Sequence, residues 1–399
     1  MSSPIANEST PRRTRRRVAF SSRAAGLLAV GMVMLLATPI VIVAVSAKRG
    51  VVDAVVPAAL PTERGVLPVP VPIDNPLTPG RIELGRKLFF DPVLSLHRTV
   101  SCSSCHDPKY GYSIPERFAK GDDGQMGHRH PPTLINVAYN TFQFWDGRIG
   151  ALGTYDSLEK QALEPIRDPR EMNLDPAEAA RRLDGIPEYR QAFEAAFGSR
   201  PTADLIARAI ASFERTLIFA DAPEDRFLKG DGAALSESAA RGRKLFFWKA
   251  TCSACHQGPN FTDNNFHPSV ASSYDDQADP GRFSVTSQAV ERGMFKTPTL
   301  RNIADRAPYM HDGSIPTLEQ VVAAYNRGGF DSHYWEPGKR QQIAALLAGE
   351  EGDEFRRSAS PQLRAGFPLA LSDEEQHDLV TYLREGLTGR ELPPSAPSN

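Results

Sequence analysis

Residues 102–106 read Cys-Ser-Ser-Cys-His, and residues 252–256 read Cys-Ser-Ala-Cys-His. The same six letters, Gly-Arg-Lys-Leu-Phe-Phe, precede each of them, at residues 85–90 and at residues 242–247. The likeness continues downstream in further pairs, which are 132–134 with 298–300, 136–138 with 302–304, and 146–147 with 312–313. An internal repeat of this kind predicts two homologous domains.

We place these domains at residues 77–225 and 226–390, and we expect both to be mainly α. Thr202 stands before an apolar stripe at helical spacing that runs from Leu205 to Leu217. Ser372 and Glu375 have the spacing of a capping box. Convincing strand patterns are scarce.

Both pentapeptides have the pattern Cys-x-x-Cys-His, which is typical of covalent c-type haem attachment. Two thiols at this spacing can bond to the two vinyl groups of one porphyrin, and the adjacent imidazole then serves as an axial ligand of the iron. The chain therefore is predicted to hold two c-type haems. The residues concerned are Cys102, Cys105, His106, Cys252, Cys255 and His256.

Other uses of the cysteines fit less well. A zinc site has its two cysteine pairs about 15–20 residues apart, whereas Cys105 and Cys252 are 147 residues apart. Thioredoxin-like redox motifs do not require the histidine that follows both pairs.

The repeat also predicts a difference between the two irons. Seven residues after Leu158 stands Pro165, and seven residues after Leu318 stands Tyr325. Proline has no ligand atom, so the first iron would stay open at this position, while the phenol of Tyr325 could bind the second. The alternative is an ordinary core tyrosine on an apolar helix face. Further candidate ligands are Met126, Met172, Met294 and Met310.

The N-terminal region, residues 1–49, reads as an export segment. Residues 24–47 are apolar apart from small Gly, Ser and Thr, and five arginines within residues 12–17 lie upstream of them. As a helix they would span about 36 Å, enough for a bilayer core of about 30 Å. We expect an uncleaved anchor with the arginines inside, the alternative being a signal cleaved after Ala47. Residues 50–76 are rich in Val and Pro and are predicted to be a linker.

Charge narrows the class of partner. Eight of the 46 Lys and Arg residues and one of the 48 acidic residues lie in residues 1–49, so the remaining 38 and 47 give residues 50–399 a formal charge of −9. This balance argues against nucleic acid and suits a basic electron-donor protein.

Five further motifs carry a family resemblance. They are Phe-Trp-Asp-Gly-Arg at 144–148, Gln-Ala-Leu-Glu-Pro at 161–165, Glu-Met at 171–172, Pro-Thr-Leu-Arg-Asn at 298–302 and Pro-Tyr-Met-His-Asp-Gly at 308–313. Together with the haem motifs they resemble the family of bacterial dihaem cytochrome c peroxidases and MauG. The resemblance covers residues 77–390 and implies two cytochrome c-like domains in tandem.

The resemblance also implies roles. His106 would be the proximal ligand of the haem that meets peroxide, and His256 that of the electron-transfer haem. Trp145 resembles the tryptophan that connects the haems electronically. Tyr325 stands where the peroxidases carry methionine and MauG carries tyrosine. The residues that resemble the distal pocket are Gln161, Pro165 and Glu171.

Three departures from the family pattern qualify these roles. Asp122 stands where the peroxidases carry a histidine that blocks the resting peroxide haem, so reductive activation should be unnecessary. Of three residues around an inter-haem calcium only Pro308 is kept, with His130 and Arg306 at the other two places, which leaves calcium binding open. Ala250 replaces the surface tryptophan through which MauG oxidises its protein substrate, and the nearest tryptophan is Trp248.

The functional hypothesis is therefore a periplasmic peroxidase-type oxidoreductase, anchored to the inner membrane or released from it, that reduces hydrogen peroxide at the His106 haem. Electrons would come from a small redox protein or, in a MauG-like reaction, from side chains of an exported protein substrate. The alternative is a non-catalytic dihaem electron carrier, which would have both irons six-coordinate.

Overall fold

The computed structural model describes residues 67–151, 153–155, 157–269, 271, 279–328 and 368–391. These residues are largely helical, as predicted. The α-helices are α1 (Pro79–Phe90), α2 (Cys102–Cys105), α3 (Ser157–Arg167), α4 (Pro176–Asp184), α5 (Pro187–Phe197), α6 (Ala203–Glu214), α7 (Pro223–Leu228), α8 (Glu237–Phe247), α9 (Phe283–Thr286), α10 (Leu318–Arg327) and α11 (Asp373–Thr381).

Strands in the described residues are short and pair only as antiparallel ribbons. They are β1 (Phe142–Gln143) with β2 (Ile149–Gly150), β3 (Phe219–Ala220) with β6 (Arg390–Glu391), and β4 (Phe266–Pro268) with β5 (Met294–Lys296). The pairing of β3 with β6 joins the end of the described chain to its first half.

The predicted helix starts are present. Thr202 caps α6, with its side chain accepting a hydrogen bond from the backbone N–H of Leu205. The capping box of Ser372 and Glu375 forms at the start of α11 with both of its hydrogen bonds. These caps satisfy backbone N–H groups that lack a partner within the helix.

The repeated hexapeptide explains how the two halves pack. Gly85 lies in α1 where this helix crosses α6, and a Cβ on it would stand 1.8 Å from the carbonyl oxygen of Ala209. Gly242 lies in α8 where this helix crosses α11, and its Cβ would stand 1.9 Å from the carbonyl oxygen of Asp378. Both glycines are therefore required by the close approach of two helix backbones.

Each half has its own hydrophobic core. The first is built around α1, α3 and α6 with the helices α4 and α5, and the second around α8, α10 and α11. The second core includes Tyr382, whose ring packs edge-on against Phe246 at 5.5 Å between centroids. The described residues thus support two tandem haem-related domains.

The repeat extends to backbone detail. Asn136 and Asn302 both adopt a left-handed conformation. The side chain of Asn136 exchanges two hydrogen bonds with the backbone of Phe219, and that of Asn302 does the same with Gly389. Asn tolerates this conformation better than most residues, so the same residue fixes the same loop in both halves.

The predicted linker differs from the structure at its end nearest the first domain. Val69 and Val71 are each 1% exposed and pack with Tyr139 and Ile218. The hydroxyl of Tyr139 donates a hydrogen bond to the carbonyl oxygen of Leu67. Residues 67–76 therefore belong to the folded body, because their alternating valines present one apolar face to it.

The predicted export segment, residues 1–49, lies outside the described residues, as does most of the linker. Within the described part of the chain, none of the helices has the length and apolar character needed to cross a bilayer.

Candidate functional site

Two cavities lie behind the two Cys-x-x-Cys-His motifs. We call the first the His106 cavity; it consists of two adjoining spaces that share Cys105, His106, Gln161, Pro165 and Glu171 in their walls. Cys102 lines one of these spaces. The structure therefore gathers all the predicted residues of the peroxide haem around one volume.

The second space, the His256 cavity, has mainly apolar walls. Cys252, Cys255 and His256 line it on one side, and Tyr325 of α10 lines it as well. Met310 is a further wall residue. Of the four methionines that the sequence offered as ligands, Met310 alone lines this cavity among the described residues, and Met172 lines the His106 cavity.

Both histidines are held in the orientation that an axial ligand needs. Nδ1 of His106 lies 3.1 Å from the carbonyl oxygen of Tyr112, and Nδ1 of His256 lies 3.0 Å from that of Phe261. A carbonyl oxygen only accepts, so Nδ1 carries the proton and Nε2 keeps its lone pair for a metal. Burial lowers the pKa of both imidazoles to about 4, which keeps them neutral.

These observations fit two covalently bound haems. The two thiols and the oriented imidazole of each motif face the same space, and that space has apolar walls in the second domain. All four cysteines are free of disulfide bonds, so each remains available for a thioether bond.

Glu171 is the buried acid of the His106 cavity. Burial raises the pKa of its carboxyl group, and the nearby negative charge of Asp168 raises it further, while Arg148 and Arg170 oppose the shift. A raised pKa brings a carboxyl group closer to the pH at which it can both take up and release a proton.

Gln161 and Pro165 lie on the same helix, α3, one turn apart. The Oε1 atom of Gln161 is buried and has no hydrogen-bond partner in the protein. Such an atom costs free energy unless a ligand satisfies it, so it marks a position for a polar ligand in the His106 cavity. Pro165 presents only carbon atoms from its side chain.

Trp145 lies in the wall that the two cavities share. Its indole N–H donates a hydrogen bond of 2.8 Å to the carbonyl oxygen of His130. Its own carbonyl oxygen accepts one of 2.7 Å from the backbone N–H of Lys296. The indole ring of Trp145 is therefore held by a residue of the first half of the chain and its backbone by a residue of the second half, between the two predicted haems.

Asp122 is held away from the His106 cavity by the loop at residues 95–99. Desolvation would raise the pKa of its carboxyl group, but hydrogen bonds from Thr99, His97 and Ser95 outweigh it and lower the pKa to about 2. Asp122 and the three residues that bind its carboxylate do not line the cavity, although the backbone N–H of Asp122 donates a hydrogen bond of 2.7 Å to the carbonyl oxygen of Glu171, which does.

Pro308 lines the His256 cavity beside Arg306, and this neighbourhood does not fit a calcium ion. Calcium is bound by several oxygen ligands. Here the guanidinium of Arg306 is buried, and the ring nitrogens of His130 face Ser113 Oγ at 2.9 Å and the carbonyl oxygen of Arg117 at 3.2 Å. The buried cationic side chain beside Pro308 would repel a cation.

Two wall residues were not singled out from the sequence. Lys296 is buried and lines both cavities. Glu214 is buried at the end of α6 beside Cys102; burial raises the pKa of its carboxyl group to about 8, and its Oε2 atom has no partner. The only sequence signal for Glu214 was an acid next to the apolar stripe of α6.

The surface near the second motif carries an exposed tryptophan. Trp248 directly follows α8 and is 68% exposed, whereas Ala250 is 4% exposed. The buried position closer to the motif thus has no aromatic ring, and the exposed one does.

Family models match both halves of the chain. The model described as di-haem cytochrome c peroxidase matches residues 79–233, and the one described as cytochrome c matches residues 239–386.

Individual relatives match most of the chain. The methylamine utilization protein MauG of Methylorubrum extorquens is 38% identical over 317 residues, which are 79% of this chain and 80% of the relative. The cytochrome c551 peroxidase of Pseudomonas aeruginosa is 36% identical over 71% of this chain and 82% of its own length. The crystal structure of a MauG-like protein associated with microbial copper homeostasis superposes with a TM-score of 0.67 at 30% identity, covering 81% of this chain and 93% of that one.

Proposed function

The chain belongs to the family of dihaem cytochrome c peroxidases and MauG proteins, and on that premise we propose that it reduces hydrogen peroxide in the His106 cavity. As a member of this family it is a peroxidase-type oxidoreductase with two c-type haems. The observation that carries the proposal is the composition of this cavity, where a buried acid, an amide oxygen without a partner and a proline face the space next to His106.

The bound haem iron supplies the electrons that cleave the O–O bond. Reduction of one peroxide consumes two electrons and two protons and gives two waters. We assign the movement of the proton to Glu171, which would take it from one oxygen of the peroxide and return it to the departing oxygen. For this the carboxyl group must be deprotonated when peroxide arrives.

The other residues keep this site open. The side chain of Pro165 offers no atom that could bind an iron, so it does not compete with peroxide. Asp122 is engaged by its own loop. Gln161 Oε1 can accept a hydrogen bond from the peroxide and thereby orient it.

Trp145 and Tyr325 are assigned to the sharing of oxidising equivalents. Trp145 lies in the wall common to both cavities. We propose that the phenol of Tyr325 would bind the iron of a haem attached at Cys252, Cys255 and His256, with which it shares a cavity. A phenolate is a harder ligand than a thioether and favours higher oxidation states of iron, so this ligand favours MauG-like use of two oxidised haems.

The experiment is to record absorption and electron paramagnetic resonance spectra of the purified holoprotein before and after one equivalent of peroxide. We expect one high-spin ferric signal that disappears on addition of peroxide. Two low-spin signals that do not respond would refute the proposal and leave the electron-carrier alternative.

The role of Glu171 is tested with a matched pair of variants. Glu171→Gln should slow the reaction with peroxide about 10²–10⁴-fold, with unchanged affinity for cyanide as a probe of the open iron. Glu83→Gln is the control, because Glu83 lies on α1, pairs with Arg86 at the surface and lines neither cavity. Equal rates in the two variants would remove Glu171 from the mechanism.

The ligand role of Tyr325 is tested by Tyr325→Phe and Tyr325→Met. The first should change the low-spin spectrum of the His256 haem, and the second should raise its reduction potential, because a thioether favours ferrous iron. A low-spin spectrum that is the same in the wild type and in Tyr325→Phe would exclude Tyr325 as the ligand.

The source of electrons distinguishes a cytochrome c peroxidase from a MauG-like enzyme that oxidises a partner protein. Peroxide-treated protein is mixed with a reduced small c-type cytochrome, and the rate of its oxidation is compared with the rate of modification of an exported partner protein. Trp248 is the candidate exit for MauG-like oxidation of a partner, since it is exposed and four residues before Cys252. Trp248→Phe should impair that reaction alone.

We infer that the protein acts outside the cytoplasm, where c-type haem is attached, and that residues 24–47 anchor it to the membrane. The support is the run of apolar residues that follows the five arginines within residues 12–17. N-terminal sequencing of the protein from washed membranes should find residues 1–47 still present; a mature start after Ala47 would identify a cleaved signal instead.

A further inference from the structure

Two buried cations line the haem cavities without an anionic partner. Lys296 and Arg306 are each 7% exposed. Lys296 lines both cavities, and Arg306 lines the His256 cavity. Among the residues that the structure describes, no carboxylate oxygen comes within the 4.0 Å of an ion pair with either side chain.

The hydrogen bonds of the two cations are incomplete. Lys296 Nζ donates to the carbonyl oxygen of Thr297 at 3.3 Å, and a guanidinium NH₂ group of Arg306 donates to that of Thr299. The Nε–H of Arg306 is buried and has no acceptor in the protein.

The nearest acids are already in use. Asp263 accepts a hydrogen bond of 2.7 Å from His267, and Asp305 accepts one of 2.9 Å from Asn302. Their charges only partly offset the burial of the two cations. Desolvation, together with repulsion from the charge of Arg306, lowers the pKa of Lys296 to about 8. Desolvation lowers the pKa of Arg306 to about 10.

Burying an unpaired cation costs several kcal/mol, roughly, unless an anion is placed beside it. A haem carries two carboxylate side chains, and the two haems of this protein occupy the cavities that these cations line. A haem carboxylate in either cavity can therefore supply a missing anion.

We propose that Lys296 and Arg306 form a buried cation pair that binds haem carboxylates in the wall between the two haems and takes the electrostatic role that a divalent metal ion would otherwise have there. The fixed guanidinium excludes a calcium ion by repulsion. Since Lys296 also bonds through its backbone N–H to Trp145, the pair is tied to the residue in the shared wall.

This proposal rests on the presence of two haems and not on the roles of Glu171 or Tyr325. Peroxide reactivity can therefore be absent while the cation pair is as described, and the measurements below do not depend on it.

The first test uses the wild-type holoprotein. Purified from a calcium-containing buffer and then desalted, it should contain no stoichiometric calcium by elemental analysis. Addition of calcium or of the chelator EGTA should leave the haem absorption spectrum and the thermal midpoint unchanged. One bound calcium per chain whose removal alters either readout would overturn the proposal.

The second test measures both haem reduction potentials by spectroelectrochemical titration. A nearby positive charge stabilises the reduced haem, so Lys296→Met and Arg306→Met should each shift at least one reduction potential downward. Lys296→Arg and Arg306→Lys keep the charge and should retain the wild-type potentials. Arg384→Met is the control, because Arg384 is an exposed cation paired with Glu319, and it should leave both potentials unchanged. Potentials that stay at the wild-type values in both methionine variants, or that shift equally in the charge-conserving variants, would overturn the proposal.

Discussion

The repeated glycines allow a prediction whose size follows from the structure. In Gly85→Ala the new Cβ would meet the carbonyl oxygen of Ala209 at 1.8 Å and the carbonyl carbon at 2.6 Å. Non-bonded carbon contacts settle at about 3.5–4.0 Å, so α1 and α6 must separate by roughly 1.5 Å. A backbone carbonyl cannot rotate out of the way as a side chain can.

Overpacking of a core typically costs about 1–3 kcal/mol and sometimes more. The higher helix propensity of alanine returns about 0.5–1 kcal/mol. Because the obstacle is backbone, we expect the upper part of this range, a net loss of about 2 kcal/mol in the free energy of unfolding. Gly242→Ala should lose a similar amount, since its Cβ would stand 1.9 Å from the carbonyl oxygen of Asp378.

The assay is thermal or urea unfolding of the holoprotein, followed by the haem absorption of each domain. A loss of about 2 kcal/mol corresponds to a drop of about 4–8 °C in the midpoint. Gly80→Ala is the matched control in α1, because its Cβ would lie 3.7 Å from the Cα and Cβ atoms of Ala196, an ordinary contact. If Gly85→Ala and Gly242→Ala unfold at the same midpoint as Gly80→Ala, the close helix crossings do not require glycine at residues 85 and 242.

Three further predictions concern charge and electron transfer. Asp122→Asn should lower the free energy of unfolding by about 2 kcal/mol at neutral pH, because the pKa of Asp122 is depressed from 3.8 to about 2 in the folded state. The stabilisation by the wild-type carboxylate is present above pH 3.8 and is lost as the pH falls toward 2. The unfolding curves of the two proteins should therefore converge in acid. Asp168→Asn should move the acid limb of the peroxide rate profile to lower pH, because the charge of Asp168 helps to raise the pKa of Glu171; a profile that moves upward or stays in place would contradict this. Trp145→Phe should slow the spectral response of the second haem to peroxide at least about tenfold while cyanide still binds the first haem normally, and an unchanged response would show that the electrons take another path.

The cysteine motifs carried most of what the sequence could predict. A Cys-x-x-Cys-His run is local, and its chemistry is fixed by three side chains within five residues, so two haems followed from letters alone. The internal repeat added the asymmetry of Pro165 and Tyr325, because equivalent positions can be compared by counting. The structure places both residues in the walls of the expected cavities.

Long-range packing was beyond such reasoning. No sequence motif singles out Lys296, and its burial follows from strand β5, which places it in the wall between the cavities. The role of Gly85 and Gly242 depends on which helix crosses which, and a repeat shows only that the same letters recur.

The predicted end of the linker, at residue 76, differs from the structure for a related reason. Val69 and Val71 alternate with prolines, a composition that is typical of an extended tether, and they do lie in an extended segment. The sequence pattern does not reveal that Val69 and Val71 pack against Tyr139 and Ile218. Composition describes the local conformation of such a segment but not its neighbours.

The ribbon of β3 and β6 makes the N-terminal domain dependent on Arg390 and Glu391, which are synthesised long after it. Phe219 pairs with Glu391 and Ala220 with Arg390, and closing so long a stretch of chain is entropically slow. A growing polypeptide will expose this edge of its first domain until translation reaches residue 391. Trimming or tagging the chain close behind that residue therefore acts on the opposite half of the molecule, next to the loop fixed by Asn136.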